Sequence, residues 1–545
     1  MSRPLLSTIL LALLGCRAEG HSDMLARMDP TVDPGLAAFA YGDLGALSRA
    51  GLDRLTSPWK LVAIGLLQRS ERERGHRLSL DSLPALLRQY GFLDPKRIRN
   101  WVGPAPESSS PAIGFVTGRV PLGVPGASVE GLVLGCAACH TGMLYDGSGR
   151  PTGEAWLGLP NTSLQLDAFG DDVFAALRES LRDPDALLAR VRTEFPETGV
   201  REGWTLRHLV IPRTRKRLDA FAARRGALLP FRSGPPGTTN GLAALKYFLR
   251  PDQDRIDWSQ EHGYAAIPDL SSRHLRSAMF VDAVYVPRGG TRGVARSGAG
   301  DANAPYLDSL APIVAFIAVP AMGVPADRAV REIPTARAML SWMTTYRTPP
   351  FPGPIDDALA AEGAALFTQN CSTCHGVYAS SGPRPRLIER YPNRLISLER
   401  IGSDSMRASL ADSLTGAVIR RSAFGPYLEA ASGMSYVPPI LNGIWATAPY
   451  LHDASVPTVW DMLTPDGRPS RFPVGGHRLD FAKLGIALEP DGDGVRRNPA
   501  DHVPWARSVL YDTREPGQAN SGHRFPSQGL TDADKRRIIE YLKTL

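Results

Sequence analysis

The stretches CAACH (136–140) and CSTCH (371–375) are two copies of one pattern, CxxCH. Two cysteines spaced three apart and followed at once by histidine form the attachment signature of a c-type haem. The thiols tether the macrocycle through its vinyl groups, and the histidine offers its imidazole to the iron from one side. At this composition a chance CxxCH has an expectation of ~10^-3 per chain, so two copies are not an accident of composition. The competing readings are a redox dithiol and half of a zinc site. A zinc knuckle needs a second ligand pair of similar spacing, and here the second pair again ends in histidine.

The remaining cysteine arithmetic is short. The chain has 5 cysteines, so Cys16 alone lies outside the two motifs. No pair is left over, and a disulfide framework is excluded. Cys16 closes the segment MSRPLLSTILLALLGC (1–16), with a basic Arg3 and an apolar run too short to span a bilayer. This predicts a signal peptide at 1–16. Its end, LLGC, resembles a bacterial lipobox, in which the cysteine is lipidated. An ordinary signal peptide with an incidental cysteine is the alternative. Both export the chain, to the periplasm or cell envelope with a lipid anchor, or to the medium. The run 311–324 is apolar but short and broken by prolines, which predicts buried core.

The net charge of +7 is modest for 545 residues, and no basic run is interleaved with aromatics. A nucleic-acid surface is therefore not expected, and membrane contact is expected only through the lipid anchor. The segment TYRTPPFPGP (345–354) cannot be helical and reads as an extended linker between the motifs. It divides the chain into a predicted domain at 17–348 with one haem and a second at 349–545 with the other. The expected fold class is mainly α: two c-type cytochrome domains, the N-terminal one enlarged by long loops.

In the second part, Asp356 or Asp357 can cap a helix whose apolar positions run through Gly363 to Phe367, just before Cys371. Thr531 is the expected N-cap of a terminal helix with Asp532 and Asp534 in its first turn. Gly363 would let these two helices approach closely. In the first part, 57–68, 80–90, 164–194 and 205–228 have helical patterning, with Ser57 and Pro58 opening the first. The stretches 231–240 and 286–301 read as loops.

His140 and His375 are the expected proximal ligands. Function depends on what faces each iron from the other side: a second protein ligand suits electron transfer, an open face suits oxygen or peroxide chemistry. Candidates for the second haem are Met406, Met434, His452, Met462, His477, His502 and His523. Candidates for the first are few. Met143 is too close in sequence to His140 to reach the far face, and His21, Met24, Met28, His76 and His208 are distant. This scarcity favours an open first haem.

The run YVPPILNGIWATAPYLHDASVPTVWDML (436–463) resembles a signature of the bacterial di-haem cytochrome c peroxidase superfamily. GCAACHTG (135–142), LGLPNTSLQLDAF (157–169), LFTQNCSTCHG (366–376), YPNRLISLERIGSD (391–404) and the C-terminal 511–545 are closer to its rubber-oxygenase-like branch. The resemblance implies a reactive haem on His140 and an electron-relaying, bis-histidine haem on His375. It makes His523 the preferred distal ligand and His452 the runner-up. It further implies two covalently bound haem c groups, dioxygen or peroxide as co-substrate, an apolar organic substrate and a small electron-donor or acceptor protein. Ala454 stands where the family usually has glycine or asparagine, and Arg524 where an acid is common. A tryptophan often bridges the haems, for which Trp156 and Trp258 are the candidates. A peroxidase and a pure electron carrier are the alternatives to an oxygenase. No GxSxG, GxGxxG or GK[ST] motif supports a hydrolase or a nucleotide site.

Overall fold

The computed structural model describes residues 20, 22–94, 97–104, 110–225, 229–290, 292, 296–297, 304–431 and 433–545. Cys16, the whole 1–16 segment and His21 lie outside them.

The mainly-α expectation is wrong. The chain is 42% helix and 14% strand, with many small sheets, and two cytochrome domains are not what it shows. The described residues form nine small sheets, seven of them two-stranded. Many strands are only two residues long, too short to carry a period-2 pattern that sequence reading could detect.

The two motifs sit in different surroundings. The first is fed by a hairpin, Phe115–Pro121 against Ser128–Leu134, in continuous antiparallel register from Phe115↔Leu134 to Pro121↔Ser128. It is left by a second hairpin, Thr141–Tyr145 against Pro151–Leu157. The second motif is fed by helix Asp357–Asn370, capped by the Asp356 carboxylate, which accepts from the amides of Ala358 and Leu359. That helix packs on Asp532–Leu542, whose capping box joins Thr531 and Asp534 as the sequence suggests. Gly363 is at the crossing. A Cβ there would lie 1.9 Å from the Arg537 carbonyl oxygen, so only glycine permits this approach.

The expected helices of the first part are present with shifted ends. The first is Trp59–Arg74, with Pro58 in the cap position and Ser57 in a short strand paired with Leu132. The stretch 164–194 is two helices, Leu166–Ser180 and Pro184–Glu194. The turn Leu206–Val210 is π-helical. Helix Ala304–Met322 includes Pro312 and Pro320 and buries Leu310, Ile313, Phe316 and Val319. Among the described residues no helix is long and apolar enough to cross a membrane.

The run after helix Ile333–Thr345 is extended, as its prolines require, but it is tightly packed. Tyr346 and Thr348 are buried, Trp156 donates to the Arg347 carbonyl at 3.1 Å, and Trp445 donates to that of Pro349 at 3.2 Å. One continuous apolar core runs from Met24 to Leu545 across this segment.

Candidate functional site

Each motif forms one helical turn ending in its histidine. In the first, the Gly135 amide donates to the Gly114 carbonyl at 2.8 Å, and the turn is Cys136–Cys139. Gly114 has φ +79°, and a Cβ there would lie 2.0 Å from the Ala138 nitrogen. Asn161 clamps the turn from the far side. Its amide donates to the Cys139 carbonyl at 2.8 Å, and its Nδ2 donates to the carbonyls of Gly91 and Ala138. In the second motif the turn is Ser372–His375, released by Gly376 at φ +92°. Tyr378 donates its hydroxyl to the His375 carbonyl at 3.2 Å.

The two histidines are held alike. His140 Nδ1 lies 3.1 Å from the Pro268 carbonyl oxygen, and His375 Nδ1 lies 2.9 Å from that of Pro439. A carbonyl can only accept, so each Nδ1 carries the proton and each Nε2 is left with its lone pair free for a metal. Burial keeps both rings neutral: it brings His140 down to about 4 and lowers His375 as well.

One cavity of about 680 Å³ joins both sites. Cys136, Cys139, His140, Cys371, Cys374 and His375 all line it, as do His452, Met462 and His523. No disulfide joins the four cysteines. Burial pushes the Cys136 thiol up to about 11 and the Cys139 and Cys371 thiols up to about 12, so they are not the thiolates of a redox dithiol. Among the described residues no three His, Cys, Asp or Glu side chains converge as a protein-only zinc site requires.

His523 lies across from His375, with ring centroids 6.2 Å apart. Two imidazoles on opposite sides of one metal atom, each bonded at about 2 Å with its centroid about 1.1 Å behind the nitrogen, have centroids about 6 Å apart. The His523 Nδ1 is buried without a hydrogen-bond partner among the described residues, and burial brings the ring down to about 3. Gly522 and His523 have φ +87° and +54°, and a Cβ on Gly522 would lie 2.4 Å from the Ser403 nitrogen. The pair is thus pressed against the 401–403 backbone, with the His523 amide donating to the Ile401 carbonyl at 2.7 Å.

His452 also lines the cavity, but its Nε2 is 3.3 Å from the Tyr436 hydroxyl. Ala454, two residues on, has φ +65°, which is the reason glycine or asparagine suits that place. Arg524 pairs with Asp466. The Met462 sulfur accepts from Arg468 at 3.8 Å. Met434 is exposed, and Met406, His477, His502, His76, His208, Met24, Met28, Trp156 and Trp258 do not line the cavity. Among the described residues no ring is paired with His140 as His523 is with His375. Met322, Met339 and Met343 also line the cavity, with Phe39, Phe169 and Ile317.

Sequence reading missed the two proline carbonyls, Asn161 as a clamp, these methionines, and two arginines of the cavity wall, Arg273 and Arg276. Asn161 falls in a stretch that carried the family resemblance. So does Pro439, within 436–463, while Pro268, the methionines and the arginines carry no local signal.

The residues present fit covalently bound haem: paired thiols, an oriented imidazole and a largely apolar enclosure at each motif. Comparison with known proteins agrees at a coarser level. The family model described as RoxA-like, cytochrome c-like matches residues 435–473, the segment that holds Pro439 and His452. Two proteins of Sinorhizobium fredii are similar. Uncharacterized protein y4iM is 34% identical over 221 residues, 36% of this chain and 50% of the relative. Uncharacterized protein y4iJ is 30% identical over 268 residues, 37% of this chain and 42% of the relative. The chain thus spans about half the length of the curated relatives it matches. The matched segment is that of a c-type cytochrome related to the rubber-oxygenase branch, a class of haem oxidoreductase with covalently bound haem c.

Proposed function

We propose that the protein is an exported di-haem c-type oxidoreductase that activates dioxygen or peroxide at a haem held by Cys136, Cys139 and His140. A second haem, held by Cys371, Cys374 and His375 and capped by His523, relays electrons. The observation that carries this reading is an asymmetry between the two histidines: His375 has the His523 ring 6.2 Å from its own, and among the described residues no ring is paired with His140 in that way. A haem with an open face supplies the oxygen or peroxide chemistry. The chain's own part is to fix each imidazole through a proline carbonyl, keep it neutral by burial, and exclude bulk water with apolar walls. The apolar lining suits oxidative cleavage of an apolar substrate, with a small redox protein as the electron partner. Cys16 lipidation would hold the enzyme at a membrane.

Electron paramagnetic resonance of the ferric protein, with and without cyanide, tests the division of labour. One low-spin and one cyanide-sensitive high-spin haem per chain are expected, and two cyanide-insensitive low-spin haems would overturn it. Oxygen uptake with polyisoprene latex or small isoprenoids tests the substrate class, and peroxide turnover with reduced cytochrome c in its place would select a peroxidase. The cavity-lining methionines favour one second reading, a pure electron carrier in which a thioether closes the first haem. Two low-spin haems would select it.

A further inference from the structure

A positive charge taken out of water needs a counter-charge, because burial alone costs several kcal/mol per ion. Among the described residues six lysine or arginine side chains are buried: Lys60, Lys246, Arg276, Arg407, Lys535 and Lys543. Five meet a carboxylate. Lys60 is 2.9 Å from Glu202, Lys246 is 2.7 Å from Glu261, and Arg407 is 2.8 Å from Asp282. Lys535 is 3.0 Å from Asp532, and Lys543 pairs with Glu540. Among the described residues Arg276 is the exception.

Arg276 lines the cavity. Its Nε donates to the Ala278 carbonyl at 3.3 Å and its Nη2 to that of Phe280 at 2.8 Å, which leaves Nη1 without an acceptor among the described residues. Arg273, on the same turn, also lines the cavity. Its Nε donates to the Asp269 carbonyl at 2.6 Å, and neither of its Nη atoms has an acceptor among the described residues. Burial brings Arg273 down to about 10, and the like charge of Arg276 adds to that. The carboxylate of Asp269 acts on Arg273 only from beyond ion-pair distance. Its Oδ1 accepts from the Ser271 amide at 2.7 Å and its Oδ2 from the Tyr346 hydroxyl at 3.0 Å. Tyr391 and His140 also face this pair; the Tyr391 hydroxyl donates a hydrogen bond to the Pro438 carbonyl at 2.8 Å, and the His140 ring is the one held by Pro268. The same 268–280 segment supplies the Pro268 carbonyl that holds His140.

We propose that Arg273 and Arg276 form a dicationic anion site for the propionate carboxylates of the haem bound at Cys136, Cys139 and His140. This rests on the haem reading of the first motif. Haem brings two carboxylates to two cations that, unlike Arg232 of the same wall with its partner Asp171, meet no acid at ion-pair distance among the described residues. A guanidinium takes a carboxylate with two parallel N–H donors, which is what the free Nη atoms offer. Cations beside the macrocycle disfavour the more positive ferric state, so the pair also raises the potential of that haem.

Optical redox titration of the holoprotein tests the site. In Arg273→Gln and Arg276→Gln the midpoint of the first haem falls, furthest in the double variant, while the second haem moves less. Arg273→Lys and Arg276→Lys stay near the wild type. A double Gln variant with full haem content and an unmoved first midpoint overturns the anion site alone. Absence of haem at the first motif in the wild type overturns the haem reading with it. If the Gln variants fail to mature, the propionate-bending band in resonance Raman spectra of the Lys variants decides. A shift supports the contact, and a band unchanged from wild type refutes it.

Discussion

The surroundings of CAACH and CSTCH differ in almost everything except the outcome. One turn is fed and left by β-hairpins and clamped by Asn161; the other follows a capped helix that crosses the C-terminal helix at Gly363. Both end with the histidine Nδ1 against a proline carbonyl, Pro268 or Pro439. The lesson is that a CxxCH turn with a fixed imidazole and two thiols on one side can be built on either kind of secondary structure. The difference that bears on function lies opposite the histidines. His375 faces His523, while among the described residues no ring is paired with His140 in that way.

The sharpest way to break this comparison is His523→Ala. One low-spin haem should become high-spin and bind cyanide, so that the two sites look alike by electron paramagnetic resonance. A spectrum identical to wild type would remove His523 as a ligand. Next, Gly114→Ala should cost about 3 kcal/mol, because a Cβ meets the Ala138 backbone and the residue must also hold a positive φ. Thermal melting with haem absorbance as the probe would show the loss at the first site.

Asp269 gives a pH test confined to the first side. Burial raises its carboxyl from 3.8 to about 6. Between those values the folded protein holds a proton that the unfolded chain has released, so stability falls as pH rises from about 4 to about 6 and is level above that. Asp269→Asn should flatten the decline, which is on the order of 3 kcal/mol at most. Denaturant titrations at both ends of the window measure it, and an unchanged slope would assign the decline elsewhere.

Gly363→Ala probes the second side. The Cβ collides with the Arg537 carbonyl oxygen, but φ is not strained, so about 2 kcal/mol is expected, less than at Gly114. A loss equal to or larger than that of Gly114→Ala would reverse the ranking of the two supports. The smallest effect should come from His452→Gln, which forfeits the Tyr436 contact and about 1 kcal/mol while leaving both haem spectra unchanged. Loss of a low-spin signal there would transfer the distal role from His523 to His452.

Legibility followed the range of the interaction. The caps at Asp356 and Thr531 and the tight glycine at 363 were readable because each acts within a turn or leaves a pattern along one helix. The fold class was misread because most strands are two or three residues long and leave no alternation. His523 was named from family likeness, since a residue 148 positions beyond His375 has no local mark of lying across from it. The sequence by itself determined the chemistry of attachment, because two thiols and a histidine must be adjacent to grip one side of a haem. Only the tertiary structure decided what lies across from each histidine. The proline carbonyls, the unpaired arginines and the apolar wall come from segments brought together by a shared core, and burial, which sets their charge and cost, does not exist in the unfolded chain.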